Sequence, residues 1–325
     1  MTIQAPAVAP TLRGGVVTLA QLSEHVLAEY LEMLADDEVS RWTGPAQTFT
    51  EQRILDWLTT RREKTDRMDW AVFDNASGEF AGEVVLNEYD EKKNAMNIRI
   101  ALRSGFLSRG LGTESMRLAT EFALEILKLD RVTLSVMVDN DRAHRAYAKV
   151  GYIDGRQYND GKIRYQRMSC ERYDFVQAMA EGLMREHLIV DDAHPEHWRF
   201  AFDSAKRRAG LCSYTDRRIS ISKYLVTIHS LDESRQVMLH EIAHALSGKA
   251  AGHGKQWLQT AKSIGYRAER FSGKEIAEQT APWVGHCPNG HEHFRYRKPR
   301  GESSCGVCAR GFSRANLIRW RQRED

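Results

Sequence analysis

Apolar positions recur along this chain with two periods, and the switches between them predict its elements. Residues 16–19, 70–73 and 83–86 read as strands, and residues 97–102 place Ile98, Ile100 and Leu102 on one half-buried face. Residues 22–34 and 51–62 carry the helical period, and Asn75-Ala76-Ser77-Gly78 supplies a turn between two strands. Met116, Ala119, Phe122, Ala123 and Ile126 form the stripe of a longer helix. Residues 132–138 then alternate as a strand, and 141–149 are helical. Around residues 169–174 charge and pattern change, which predicts a domain boundary. Beyond it, a helix over 173–187 directs Phe175, Met179, Leu183 and Met184 towards a core. Residues 198–202 and 218–222 alternate as strands, and 206–212 read as a turn. The best-signalled helix comes next. Ser230 with Glu233 makes a capping box, Asp232 suits the positive helix start, and Gly248 is a stop. Val237, Ile242, Ala243 and Leu246 give this helix an apolar surface.

A chain of 325 residues, 42% of them hydrophobic, has room for two domains with ordinary cores. Its formal charge of +3 points to no partner. Residues 1–10 lack the basic start of a signal peptide, and no run approaches the roughly 20 apolar residues of a membrane span. The expectation is a soluble, cytoplasmic protein without a membrane partner. Three of the five cysteines fall in the last forty residues, which suggests metal binding rather than a disulfide framework.

Three stretches carry candidate chemistry. The loop Ser108-Arg109-Gly110-Leu111-Gly112-Thr113 follows a strand and opens a helix, so its backbone N–H groups can cradle a phosphate. His240 and His244, four apart on one helix, can aim two imidazoles at one metal, with Glu241 placed to take a proton from a metal-bound water. His253 is the candidate third ligand, and the metzincin spacing is absent. In the tail, Cys287, His291, Cys305 and Cys308 form two knuckles that suit a closed, structural zinc site, with His293 and His286 as substitutes for His291. Arg295, Arg297, Lys298, Arg300, Arg310, Arg314, Arg319, Arg321 and Arg323 outnumber Glu292, Glu302, Glu324 and Asp325 there, and Phe294, Tyr296, Phe312 and Trp320 interleave. That mixture could lie along a nucleic acid backbone.

Residues 11–170 resemble the GNAT acetyltransferase superfamily, in the branch that acetylates ribosomal-protein N-termini. The carriers are Asp37-Glu-Val-Ser-Arg-Trp42-Thr-Gly44, the loop from Arg109 to Glu114, and Val138-Asp-Asn140 through Tyr147 to Gly151-Tyr152. The resemblance implies that Arg109, Gly110, Gly112, Thr113 and Asn140 contact acetyl-CoA and that Tyr147 protonates the departing thiolate. Leu107-Ser108 stand where the family usually has Arg or Gln with a glycine. Glu83 and Glu88 are the candidates for the general base that an amine acceptor needs.

Residues 174–270 resemble the SprT-like (Spartan-type) metalloproteases. The carriers are Trp198 to Phe202, Ala205 to Cys212, Ile219-Ser-Ile-Ser222, His240 to Leu246 and His253-Gly254-Lys-Gln-Trp257. The resemblance implies that His240, His244 and His253 bind catalytic zinc with Glu241 as general base. It also implies a terminal zinc ribbon and raises the expectation of a nucleic-acid-bound protein target. Cys212 reads as a small buried residue and His229 as a surface one. The expected fold is therefore α+β: a GNAT mixed β-sheet with flanking helices over 11–170, a mainly helical zincin-type domain over 174–285, and a small zinc ribbon over 286–325. The expected function is a zinc metallopeptidase fused to an N-acetyltransferase acting on a protein or amine. Two rivals remain: a nucleic-acid-binding protein with structural zinc sites, and an acetyltransferase with an inactive protease-like domain.

Overall fold

The computed structural model describes residues 8–43, 49–188, 197–271 and 274–323. Residues 1–7, Gly44, Glu324 and Asp325, which entered the sequence reading, lie outside the described residues. Contacts divide the chain into two units, 1–182 and 183–325.

The first unit begins with β1 (Leu12–Arg13) and β2 (Val17–Gln21), then α1 (Leu27–Leu34), α2 (Asp37–Thr43) and α3 (Glu51–Thr60). It continues through β3 (Met68–Asp74), β4 (Phe80–Asp90), β5 (Ala95–Leu102), α4 (Leu111–Glu125), β6 (Arg131–Met137), α5 (Asp141–Ala148), β7 (Ile153–Asp160) and β8 (Ile163–Glu171). α6 (Arg172–His187) crosses the division between the units. The strands form one sheet in the order β1-β2-β3-β4-β5-β6-β8-β7. Every neighbouring pair is antiparallel except β5 and β6, which run parallel. Trp70, Leu19, Leu86, Met96, Ile98 and Met116 fill the core between sheet and helices.

One irregularity positions the site. β5 and β6 pair only at Ala95–Arg131, Met96–Val132 and Asn97–Thr133. Beyond Asn97 and Thr133 the two strands part, and both halves of the resulting wedge line a single cleft. The backbone groups facing that gap have lost their ladder partner and must find another.

The predicted strands and helices of this unit are present, with three differences. Residues 22–34 start with a 3-10 turn, Glu24–Val26, so α1 is shorter than its apolar pattern. Ile126, read as part of the α4 stripe, is 60% exposed because the helix ends at Glu125. Lys128 then turns with φ 55°, and Leu129 after it is buried again. The β7–β8 hairpin carried no readable period. β7 is an almost fully exposed edge strand, so it has no buried face to imprint alternation on its sequence.

The second unit comprises β9 (Arg199–Asp203), β10 (Gly210–Ser213), β11 (Arg218–Ser222), α7 (Lys223–Ile228), α8 (Leu231–Ser247), α9 (Lys255–Ser263), α10 (Lys274–Thr280), β12 (Trp283–His286), β13 (Glu292–Arg295) and β14 (Arg319–Gln322). β10 is the edge of a three-stranded sheet, antiparallel to β11, which runs parallel to β9. The stretch read as a turn ending at Cys212 thus closes in a strand. β13, β12 and β14 make a separate antiparallel sheet.

α8 runs through the middle of this unit, and Val237, Met238, Ile242 and Ala243 are fully buried on it. Leu246, expected on its apolar surface, is 43% exposed in the last turn. Its N-cap is half the predicted box. Ser230 Oγ accepts the Glu233 N–H at 3.1 Å, but the Glu233 carboxylate accepts from Arg270 and Phe271 instead of reaching back. Gly248 ends the helix with φ 80°.

Candidate functional sites

The cleft of the first unit has a volume of about 1100 Å³. One arm is built from the α4 start and α5. Gly110 takes φ 82°, the left-handed conformation that lets the loop turn directly into α4. The first N–H groups of α4, at Leu111, Gly112 and Thr113, have no carbonyl four residues earlier within the helix. Gly110, Gly112, Thr113, Asn140 and Tyr147 all line this cleft. Arg109 does not. Its guanidinium pairs with Asp74 at 2.5 Å. Ser108 has φ 60°, a conformation costing a side-chain-bearing residue roughly 1–2 kcal/mol.

Asn140 caps α5, its Oδ1 accepting the Ala143 N–H at 3.1 Å. Burial pushes the Tyr147 phenol up to about 12, so it holds its proton throughout the neutral range. A group in that state can give a proton to a thiolate.

The opposite arm is formed by α1–α3 and β4. Glu83 stands on β4 and is buried; Tyr30 Oη donates to its Oε2 at 3.0 Å, and Arg99 Nη2 lies 3.5 Å from its Oε1. Burial raises the Glu83 carboxyl above the ordinary glutamate value, against the pull of Arg99 and the Tyr30 hydrogen bond. Glu88, the other candidate base, is exposed at the cleft lining in a left-handed turn with φ 55°. One contact that the sequence did not suggest ties α2 to α5: Arg142 Nη2 donates to Glu38 Oε1 at 3.1 Å, and Trp42 Nε1, on α2 itself, donates to the same oxygen at 3.0 Å.

In the second unit α8 and the turn before α9 bring three imidazoles together. The Nε2 atoms of His240, His244 and His253 form a triangle with edges of 3.2, 3.0 and 3.0 Å. Nitrogen ligands 2.0–2.1 Å from a tetrahedral ion would stand about 3.3 Å apart, so this donor set fits such an ion. Trp257 packs against all three rings, at centroid distances of 4.8, 5.4 and 4.9 Å. Burial and the neighbouring imidazoles push His244 down to about 4, which keeps it neutral and able to donate a lone pair.

Glu241 is only 8% exposed and turns towards β10. Burial pushes its carboxyl up to about 7, while His240 and the Cys212 backbone N–H oppose the rise. Cys212 is half-buried, and burial with the nearby Glu241 charge pushes its thiol up to about 12. A Cβ on Gly210 would sit 2.7 Å from Glu241 Oε1, so the strand approaches the carboxylate as closely as only glycine allows. Tyr214 Oη donates to the His244 carbonyl at 2.8 Å. His240 Nδ1 lies 3.2 Å from Glu269 Oε1, a contact that no spacing in the sequence announced.

The tail brings Cys287, His291, Cys305 and Cys308 into one group. Cys287 Sγ is 3.7 Å from Cys308 Sγ and 3.5 Å from His291 Nδ1, and His291 Nδ1 is 3.2 Å from Cys308 Sγ. Ligands of this kind around one tetrahedral ion would stand about 3.3–3.8 Å apart. Burial raises the Cys287 thiol, but the His291 and Asn289 backbone N–H groups outweigh it and bring it to about 6. His286 contacts Glu292 at 2.9 Å instead, and neither it nor His293 belongs to the group. Among the described residues no helix is long and apolar enough to cross a membrane.

A splayed parallel strand pair over a helix start, followed by a three-imidazole helix site, defines a two-module protein. Residues 17–153 match the family model described as an acetyltransferase (GNAT) domain, and residues 180–278 match the SprT-like family. The chain therefore carries a GNAT domain followed by a SprT-like domain. It is 25% identical over 116 residues to "Putative ribosomal N-acetyltransferase YdaF" of Bacillus subtilis (strain 168), spanning 36% of this chain and 62% of that relative's length. Among solved structures it is similar to a GCN5-related N-acetyltransferase from Brucella melitensis, with 18% identity, a TM-score of 0.48, and coverage of 58% of this chain and 90% of that one. Spermidine N-acetyltransferase from Vibrio cholerae in complex with CoA and spermine is 15% identical with a TM-score of 0.46, covering 50% and 99%.

Proposed function

We propose that the chain is bifunctional: an acetyl-CoA-dependent N-acetyltransferase joined to a zinc metallopeptidase. The observation that carries the first half is the wedge between β5 and β6, with the α4 start at one arm and a buried carboxylate at the other. The α4 N–H groups and the glycines around them receive the pyrophosphate. Unpaired backbone of β5 and β6 receives the extended arm of the cofactor. Glu83, directly or through water, takes a proton from the acceptor ammonium, and the amine attacks the thioester carbonyl. Tyr147 returns a proton to the departing sulfur.

The three-nitrogen triangle beside Glu241 supports the second half. His240, His244 and His253 would hold zinc. When bound, the metal lowers the pKa of water and polarises a peptide carbonyl. Glu241 accepts the proton of the attacking water and passes it to the leaving amine; Cys212 N–H and the glycine at 210 keep the carboxylate in place. Cys287, His291, Cys305 and Cys308 would hold a second, structural zinc. The exposed bases Arg310, Arg314, Arg319 and Arg321, with Phe312 63% exposed beside them, support contact of the tail with nucleic acid.

Metal analysis of the full chain tests the zinc reading: about two zinc ions per chain are expected, and about one after Cys305→Ser with Cys308→Ser. Calorimetry with acetyl-CoA tests the other half; no binding at high micromolar concentration removes it.

A further inference from the structure

Glu233, Gln236 and His240 stand at i, i+3 and i+7 on α8 and so share one stripe of the helix. The segment after α9 lies along that stripe. Arg267 N donates to Gln236 Oε1 at 2.7 Å, and Arg270 N and Phe271 N donate to Glu233 Oε1 at 2.5 and 2.9 Å. The Arg267 guanidinium adds two contacts to Asp232, at 2.6 and 2.8 Å. Glu233 and Gln236 are both buried, so these polar side chains are held in the interior by the strap they bind. Between the fastened residues, Glu269 faces inward, its Oε1 3.2 Å from His240 Nδ1. The Tyr266 ring closes the other side of His240 at 5.8 Å.

His240 directs Nε2 at the other two imidazoles, so Nδ1 is the nitrogen free to face a partner. Glu269 Oε1 stands 3.2 Å from that nitrogen without the alignment of a formed hydrogen bond; a carboxylate there favours the tautomer with a proton on Nδ1, which leaves the lone pair on Nε2 and makes the ring a stronger donor. From this geometry we infer that Glu269 is a positioning residue for the metal centre. The strap of residues 267–271, fastened by Glu233 and Gln236, is the device that presents it. This inference rests on the proposed zinc at His240, His244 and His253. It assigns a role to a side chain that touches neither substrate nor metal, and it gives a reason for the burial of Glu233 and Gln236 on α8.

The test is a chelator titration of the zinc-loaded full chain, read as zinc released in two steps. The step from the thiolate cluster serves as an internal reference. Glu269→Ala is expected to weaken the imidazole step by about 10–100-fold and leave the thiolate step unchanged. Glu269→Asp should recover part of the loss, which a purely packing role would not predict. Glu233→Met removes the acceptor for two strap N–H groups and should weaken the same step; combined with Glu269→Ala it should add little. Melting of the zinc-free variants separates folding from metal affinity, and Glu269, 28% exposed, is not a core residue. Imidazole-step affinity within about twofold of wild type in Glu269→Ala overturns the inference. Loss in Glu269→Ala without any loss in a folded Glu233→Met overturns the part played by the strap. A wild-type chain that shows no imidazole step at all overturns the metallopeptidase reading instead.

Discussion

The Nε2 atoms of His240 and His253 lie 3.0 Å apart although thirteen positions separate them in the chain. α8 carries the first, and the turn that ends at Gly254, before α9, carries the second. Two like donors at that distance gain little from each other, and the arrangement makes physical sense around a shared cation.

Glu241→Gln keeps the shape of the side chain and removes its basicity. Peptide hydrolysis should fall by about 10²–10⁴-fold while zinc content stays at the wild-type level. Parallel assays of hydrolysis and metal content check this; equal hydrolysis by both proteins removes Glu241 from the chemistry.

Gly210→Ala places a methyl group against the Glu241 carboxylate and Val237. The expected result is a drop in hydrolysis of at least tenfold with zinc retained, because the clash moves the base and spares the imidazoles. Unchanged turnover would mean that the position of Glu241 does not matter.

Glu83 supplies a pH signature in the first unit. Its folded-state carboxyl is raised by burial, so the native chain keeps this proton to higher pH than the unfolded chain does. Its contribution to stability therefore falls as pH rises from the ordinary glutamate range through the folded value. Glu83→Gln should remove that slope in melting experiments run across pH. In acetyl transfer the same variant should lose about 10²–10⁴-fold in rate, along with an acid limb lying above the usual glutamate range.

Tyr147→Phe should lower the rate of acetyl transfer while acetyl-CoA binding, measured by calorimetry, changes little. Since burial pushes this phenol up to about 12, the wild-type rate should show no alkaline fall from Tyr147 below that range. A phenylalanine variant with full activity would leave the leaving thiolate to solvent.

Much of this molecule was legible before its fold. Periodicity announced β2–β6, α4 and α8, because each buries one face and the burial leaves a repeat in the sequence. The β7 edge left no such trace, since β7 has no buried face. Spacing named the three histidines and the four tail ligands, because metal sites restrict residue type as well as distance. The family resemblance gave Arg109 a place at the cofactor; what no spacing announced is its pairing with Asp74, thirty-five residues earlier.

What the chain alone determined is which donors exist and which local elements carry them; helix spacing and glycine conformations are set within a few residues. The tertiary structure decided the rest. It parted β5 from β6 after Asn97, buried Glu83 beside Tyr30, fitted Gly210 to Glu241, and strapped Glu269 to His240. These are contacts between residues far apart in sequence, where side-chain burial and close approach depend on packing and no periodic signal records them.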